Sequence, residues 1–81
     1  MFVTGNTVIS TAGKDKDLFS AVVKTDDTYV YVCDGKHNPL DNPKRKNPKH
    51  IKAVGIDLTE EQMVSNRALR KALASVRDAK R

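Results

Sequence analysis

Apolar and polar residues alternate over short stretches through the first two thirds of the chain, and the period then changes. Residues 7–10 are β-branched and alternate in part, which predicts a half-buried strand. Residues 12–17 hold a glycine, two lysines and two aspartates and read as a solvated turn. Apolar residues return over 18–24 as a second strand, and Thr25-Asp26-Asp27 is turn-like. Residues 28–33 are the clearest strand, since nearly all are β-formers. Period two puts Val30 and Val32 on one face, expected inward, with Tyr29, Tyr31 and Cys33 on the other. Asp34-Gly35 predicts a type I′ hairpin, in which both central residues need positive φ. Residues 36–40 would be its short return strand, held to an edge by Pro39. Residues 42–48 read as a loop between prolines, and 50–54 as the last strand. Five short strands with tight turns predict a mainly β fold built on a small barrel.

After Gly55 the spacing becomes helical. Thr59 and Gln62 have the form of a capping box, with Leu58 and Met63 at the staple positions, so a short helix is expected there. Ser65-Asn66 offers a fresh cap. Leu69, Ala72, Leu73 and Val76 then form one apolar stripe, with Arg67, Arg70, Arg77 and Arg81 opposite. The expected division is a barrel over 1–56 and a C-terminal α-helical extension over 57–81, flanking or packed on it.

Charge sharpens this picture. The chain of 81 residues carries a net charge of +5, unevenly placed. Residues 1–43 hold four lysines against six aspartates, and residues 44–81 hold eleven basic residues against four acids. Positive charge concentrated in one half is a footprint for a polyanion. The sharpest cluster is Lys44, Arg45, Lys46, Lys49 and Lys52, in a segment whose prolines limit its unfolded freedom. No apolar run approaches the roughly 20 residues that span a bilayer. The start of the chain lacks a basic stretch followed by an apolar one, so no signal peptide is expected. The single cysteine, Cys33, cannot form an internal disulfide, which fits a reducing compartment, and a cytoplasmic location is expected.

The segment from Gly5 to Lys24 resembles the KOW motif, a signature of SH3-like barrels in ribosomal proteins and transcription factors. Gly5, Val8, Gly13, Lys14, Asp15, Lys16 and the Val22-Val23 pair carry the resemblance, while Asp17 stands where family members often have Gly. The segments Asp34-Gly35-Lys36, 42–51 and 66–73 are similar to those of a subgroup of small bacterial KOW proteins related to ribosomal protein L14e of eukaryotes and archaea. The resemblance implies a five-stranded SH3-like barrel, binding to ribosomal RNA, and a ribosomal-protein-like or ribosome-associated role.

Residues and resemblance together give a candidate RNA-binding set: Lys14, Lys16, Lys36, Lys44, Arg45, Lys46, Lys49, His50, Lys52, Arg67 and Arg70. Arginine adds stacking or bidentate phosphate contact, and lysine acts as a point charge. Tyr29 and Tyr31 either stack bases or pack in the barrel wall, with packing favoured. Cys33, His37 and His50 lack a fourth ligand for zinc, so no metal or other cofactor is expected. No nucleophile, base and acid fall into a catalytic pattern, so no enzyme activity is expected. The expected partner is RNA, bound by a monomer, with no membrane partner. The rival readings are an SH3-like protein-interaction module, docking on RNA polymerase or another protein, and a basic DNA-binding module.

Overall fold

A computed structural model describes residues 1–80. Five strands form one antiparallel sheet: β1 (Asn6–Ser10), β2 (Phe19–Thr25), β3 (Val30–Cys33), β4 (Lys44–Lys46) and β5 (Ile51–Asp57). Their order is β4-β3-β2-β1-β5. β1 therefore pairs with both β2 and β5, while β4 and β5 are the two edges. The sheet is not closed into a barrel, so the mainly β, five-stranded architecture holds and closure does not. One helix, α1 (Asn66–Ala79), follows. No described helix is long and apolar enough to cross a membrane.

Strand alternation gives the sheet two buried faces, and each collects its own core. Val8, Val22, Val30, Val32 and Ile51 cluster on one face, with Phe2 half-buried against them and Val3 exposed. Val30 and Val32 thus point inward as their spacing predicts. Ala21 and Cys33 turn to the other face, where they meet Leu58 and the α1 stripe of Leu69, Ala72, Leu73 and Val76. Burying each such valine or leucine contributes about 1.5–3 kcal/mol, so a chain this short depends on filling both faces.

Two irregularities bend the sheet. Between the pairs Val22↔Val32 and Lys24↔Tyr31, β2 holds the extra residue Val23. Between Asn6↔Asp57 and Val8↔Ala53, Thr7 on β1 faces the longer Val54-Gly55-Ile56 segment of β5. Bulges of this kind add twist and bend to a strand.

The segment after β3 departs from the sequence reading. Gly35 has φ +81°, but Asp34 does not share a positive φ, so the turn is not type I′. Instead the buried Asp34 carboxylate accepts hydrogen bonds from the N–H groups of Lys36 at 3.0 Å and Asn38 at 2.8 Å. An aspartate that closes its own turn in this way offers the backbone an alternative to a strand ladder. Residues 36–40 accordingly form bends rather than a return strand. The true partner of β3 is β4, inside the stretch read as a loop, with Val30↔Lys46, Tyr31↔Arg45 and Val32↔Lys44 in register.

The C-terminal region follows its sequence signals more closely. The Thr59 N–H donates to Gln62 Oε1 at 2.9 Å and the Gln62 N–H to Thr59 Oγ1 at 3.3 Å, the reciprocal bonds of a capping box. It opens only a 3-10 turn, Glu61–Met63. Ser65 then caps α1 by accepting from the Ala68 N–H at 3.1 Å. Arg81, assigned to the arginine stripe from sequence, lies outside the described residues.

Candidate nucleic-acid interface

The basic run Lys44-Arg45-Lys46 is split by strand alternation. Lys44 and Lys46 pair with Val32 and Val30 and share their face, whereas Arg45 pairs with Tyr31 and emerges on the other. There the Arg45 guanidinium sits over the Tyr29 ring, 4.5 Å from its centroid. The shift at Val23 similarly brings the Lys24 ammonium 5.4 Å from the Tyr31 ring. The Tyr31 hydroxyl donates to Asp26 at 2.7 Å, and the Asp26 carboxylate also accepts from the Tyr29 and Thr28 N–H groups. These bonds, the Tyr29 N–H first, hold the Asp26 carboxyl below its ordinary range. The two tyrosines are half-buried beneath cations rather than open rings.

Lys44 and Lys46 converge on the loop between β1 and β2. Asp15 Oδ2 accepts from Lys44 Nζ and, at 2.9 Å, from Lys46 Nζ. The two ammonium groups, Lys44 foremost, pull the Asp15 carboxyl down to about 2. Lys46 keeps only 12% of its side chain exposed against 43% for Lys44, so Lys46 is a tie between loop and edge strand, and Lys44 remains accessible. The loop reaches this position through two residues of positive φ, Gly13 at +79° and Asp17 at +70°. Asp17 is the one described non-glycine residue with such a φ. Its N–H donates back to the Ser10 carbonyl at 2.8 Å, which closes the loop.

A cleft of about 490 Å³ opens beside this tie, with Lys14, Lys16 and Lys44 on its rim and Asp15 and Asp17 among them. A second cleft of about 310 Å³ adjoins it and shares Leu18 and His37. Lys36 and the buried Asp34 from the turn and Arg70 and Arg77 from α1 surround it. Among the described residues no carboxylate pairs with any of these three cations. The turn and the helix are fitted closely together here. A Cβ at Gly35 would lie 2.4 Å from the Asn66 carbonyl oxygen and 2.9 Å from Arg70 Cγ, so glycine is what lets Arg70 cross the turn. The Asn66 side chain also accepts from the Leu40 N–H at 2.8 Å.

Of the candidate residues, Lys14, Lys16, Lys36, Lys44 and Arg70 therefore meet around two adjoining clefts. Lys46 stands behind Asp15, and Arg45 faces the tyrosines. Lys49 and His50 lie in the 3-10 turn Pro48–His50, Lys52 on β5 and Arg67 on α1, and none of these lines either cleft. Sequence reasoning placed Arg77 with Arg70 on the arginine stripe of the helix but left it out of the RNA-binding set. The pairing of Asp15 across the fold leaves no local signal in the sequence. Cys33 is chemically quiet: burial, with Asp34 nearby, pushes its thiol up to about 11, and its S–H donates to the Pro39 carbonyl at 3.3 Å. No family model matches the chain, and no curated protein matches it.

Proposed function

We propose that this protein is a non-enzymatic RNA-binding protein of the KOW type, binding structured RNA, with ribosomal RNA the expected target. The observation that carries the reading is the joining of the two clefts. Cations that are 14–77 in sequence number, from the first loop, β4, the Asp34 turn and α1, are gathered along one continuous surface. Such a surface follows a phosphate backbone and reads few bases. A KOW-type strand arrangement, here in an open sheet, is supported by the strand order, with β1 between β2 and β5. It is supported also by the Asp15 tie, which draws the β4 edge towards the β1–β2 loop. Asp17 in the left-handed region, at a position where the family often has Gly, supports the KOW resemblance.

The test is a salt titration on a ribosomal RNA fragment. About five phosphate contacts, from Lys14, Lys16, Lys36, Arg70 and Arg77, give a slope of log affinity on log salt of about −3.5 to −4.5. Arg70→Gln with Arg77→Gln should flatten it by about 1.4–1.8, and Lys44→Gln with Lys46→Gln by less than about one, because Asp15 already offsets one of those two charges. Circular dichroism checks folding. Absence of RNA binding by the wild type at low salt would remove the proposal, and equal slopes for both double variants would move the phosphate path off the second cleft.

A further inference from the structure

We infer that the second cleft receives one unpaired nucleotide of the RNA, with its phosphate on Lys36, Arg70 and Arg77 and its base on Leu18 and Phe19. This rests on the RNA-binding reading above and adds the class of RNA that the site prefers.

The two clefts differ in their floors. The first is lined by Lys14, Asp15, Lys16, Asp17 and Asn38, with Leu18 its one apolar side chain. A surface that reads only phosphates needs nothing more. The second sets Leu18, Phe19, Leu73 and Ala74 between its cations, and its one carboxylate, Asp34, is buried and accepts from the Lys36 and Asn38 N–H groups. Leu18 and Phe19 are half-buried there and keep part of their apolar surface open to the cleft. Apolar floor and unpaired cations side by side match a ligand with a flat apolar part and an anionic part a short distance away. An extruded nucleotide has both, and aromatic side chains stack bases of any sequence. Size points the same way. A volume of about 310 Å³ lies at the lower end of small-ligand sites, enough for one base and its phosphate. In a duplex the base faces are stacked on one another and cannot reach such a floor. Binding of this kind requires a bulge, a loop or a single-stranded end.

The experiment uses the full chain and two RNA hairpins of equal length and charge. One carries a single unpaired 2-aminopurine, and in the other the same 2-aminopurine is paired. The wild type should bind the unpaired form about tenfold more tightly, within the range found for stacking of one base, and the probe's fluorescence should change on binding. Ala74→Arg adds a cation at a half-buried helical position on the cleft wall and fills the space. It should keep or strengthen binding of the paired hairpin while abolishing the preference. Leu18→Asn removes apolar floor without adding bulk, from a residue outside both core clusters. It should reduce the preference by at least about threefold, as loss of part of a stacking contact implies. Equal binding of the two hairpins by the wild type, with the salt slope retained, overturns this inference and leaves RNA binding standing. A preference that survives Ala74→Arg in a folded protein, or Leu18→Asn should the arginine variant not fold, also overturns it. Absence of binding to either hairpin at low salt overturns both readings, and capture of an acidic peptide by the same cleft would then assign it to a protein partner.

Discussion

Two groups of cations lie either side of Leu18 and His37, and the fold treats them in opposite ways. Lys44 and Lys46 are joined to Asp15 across the fold, so much of their charge is satisfied within the molecule. Lys36, Arg70 and Arg77 have no acidic partner among the described residues and surround an apolar floor. The sequence makes the first group the more conspicuous, because its cations belong to the basic run Lys44-Arg45-Lys46. The structure makes the second the better site for an external anion. Density of charge along a chain is therefore a poor guide to where charge is available. Cations drawn from two separate elements can outweigh a contiguous run whose charge its own fold has partly offset.

The largest expected effect separates the groups by their glycines. Gly13 in the first loop and Gly35 in the turn have nearly equal φ, +79° and +81°. A Cβ at Gly13 meets nothing within 4 Å, whereas one at Gly35 runs into Asn66 and Arg70. Gly13→Ala should cost about 1 kcal/mol, the strain of a left-handed conformation in an L residue. Gly35→Ala should cost about 3 kcal/mol or more, because the helix start must also shift. Denaturant titration of the two variants measures the difference. Equal losses would show that the close fit of turn to helix is not what holds Arg70 over the second cleft.

The helix that carries half of that cleft was the most legible part of the sequence. Its cap at Ser65 and its stripe of Leu69, Ala72, Leu73 and Val76 are local signals, and the structure keeps them all. The inward Val30 and Val32 were legible for the same reason. The strand carrying Lys44–Lys46 was not, since three charged residues between prolines have no apolar alternation to betray pairing. β4 is strand because β3 presents an unpaired edge to it, which is a tertiary cause. The Asp34 turn misled for a different reason. Asp-Gly is compatible with two turn chemistries, and the one chosen depends on whether the aspartate side chain reaches its own following amides. The pairing of Asp15 with residues about thirty positions away had no sequence signal at all.

A smaller effect tests the neutralised group directly. Asp15→Asn removes the carboxylate that Lys44 and Lys46 share. At pH 7 it should lower stability by about 1 kcal/mol, since solvent screens a pair at the surface. The sign of the pH dependence follows from the direction of the shift. The carboxyl is depressed from 3.8 to about 2 in the folded protein, so its contribution is present above about pH 4 and lost as pH falls through 2. Wild type and variant should therefore converge in stability by about pH 2. The same substitution should steepen the salt slope for RNA by about one unit, because Lys44 becomes available to phosphate. Loss of stability without any gain in slope would mean that Lys44 does not face the RNA, and the first cleft would drop out of the binding surface.

The smallest effect concerns the loop that presents Asp15. Asp17 adopts φ +70°, a conformation that aspartate tolerates better than most residues but still less easily than glycine. Asp17→Gly relieves that strain in the folded state and gives the unfolded chain more freedom, two effects of opposite sign. The first is the larger at a position so far into the left-handed region, so a net stabilisation of about 0.5 kcal/mol is expected. The loop's closing bond comes from the Asp17 N–H, which glycine keeps, so Asp15 stays where it is. The convergence of wild type and Asp15→Asn near pH 2 should consequently be preserved in the Asp17→Gly background. Paired denaturation curves at pH 7 and pH 2 make the measurement. A destabilised Asp17→Gly would show that the Asp17 side chain itself supports the loop, and a lost pH convergence would show that the tie between Asp15 and the β4 lysines depends on it.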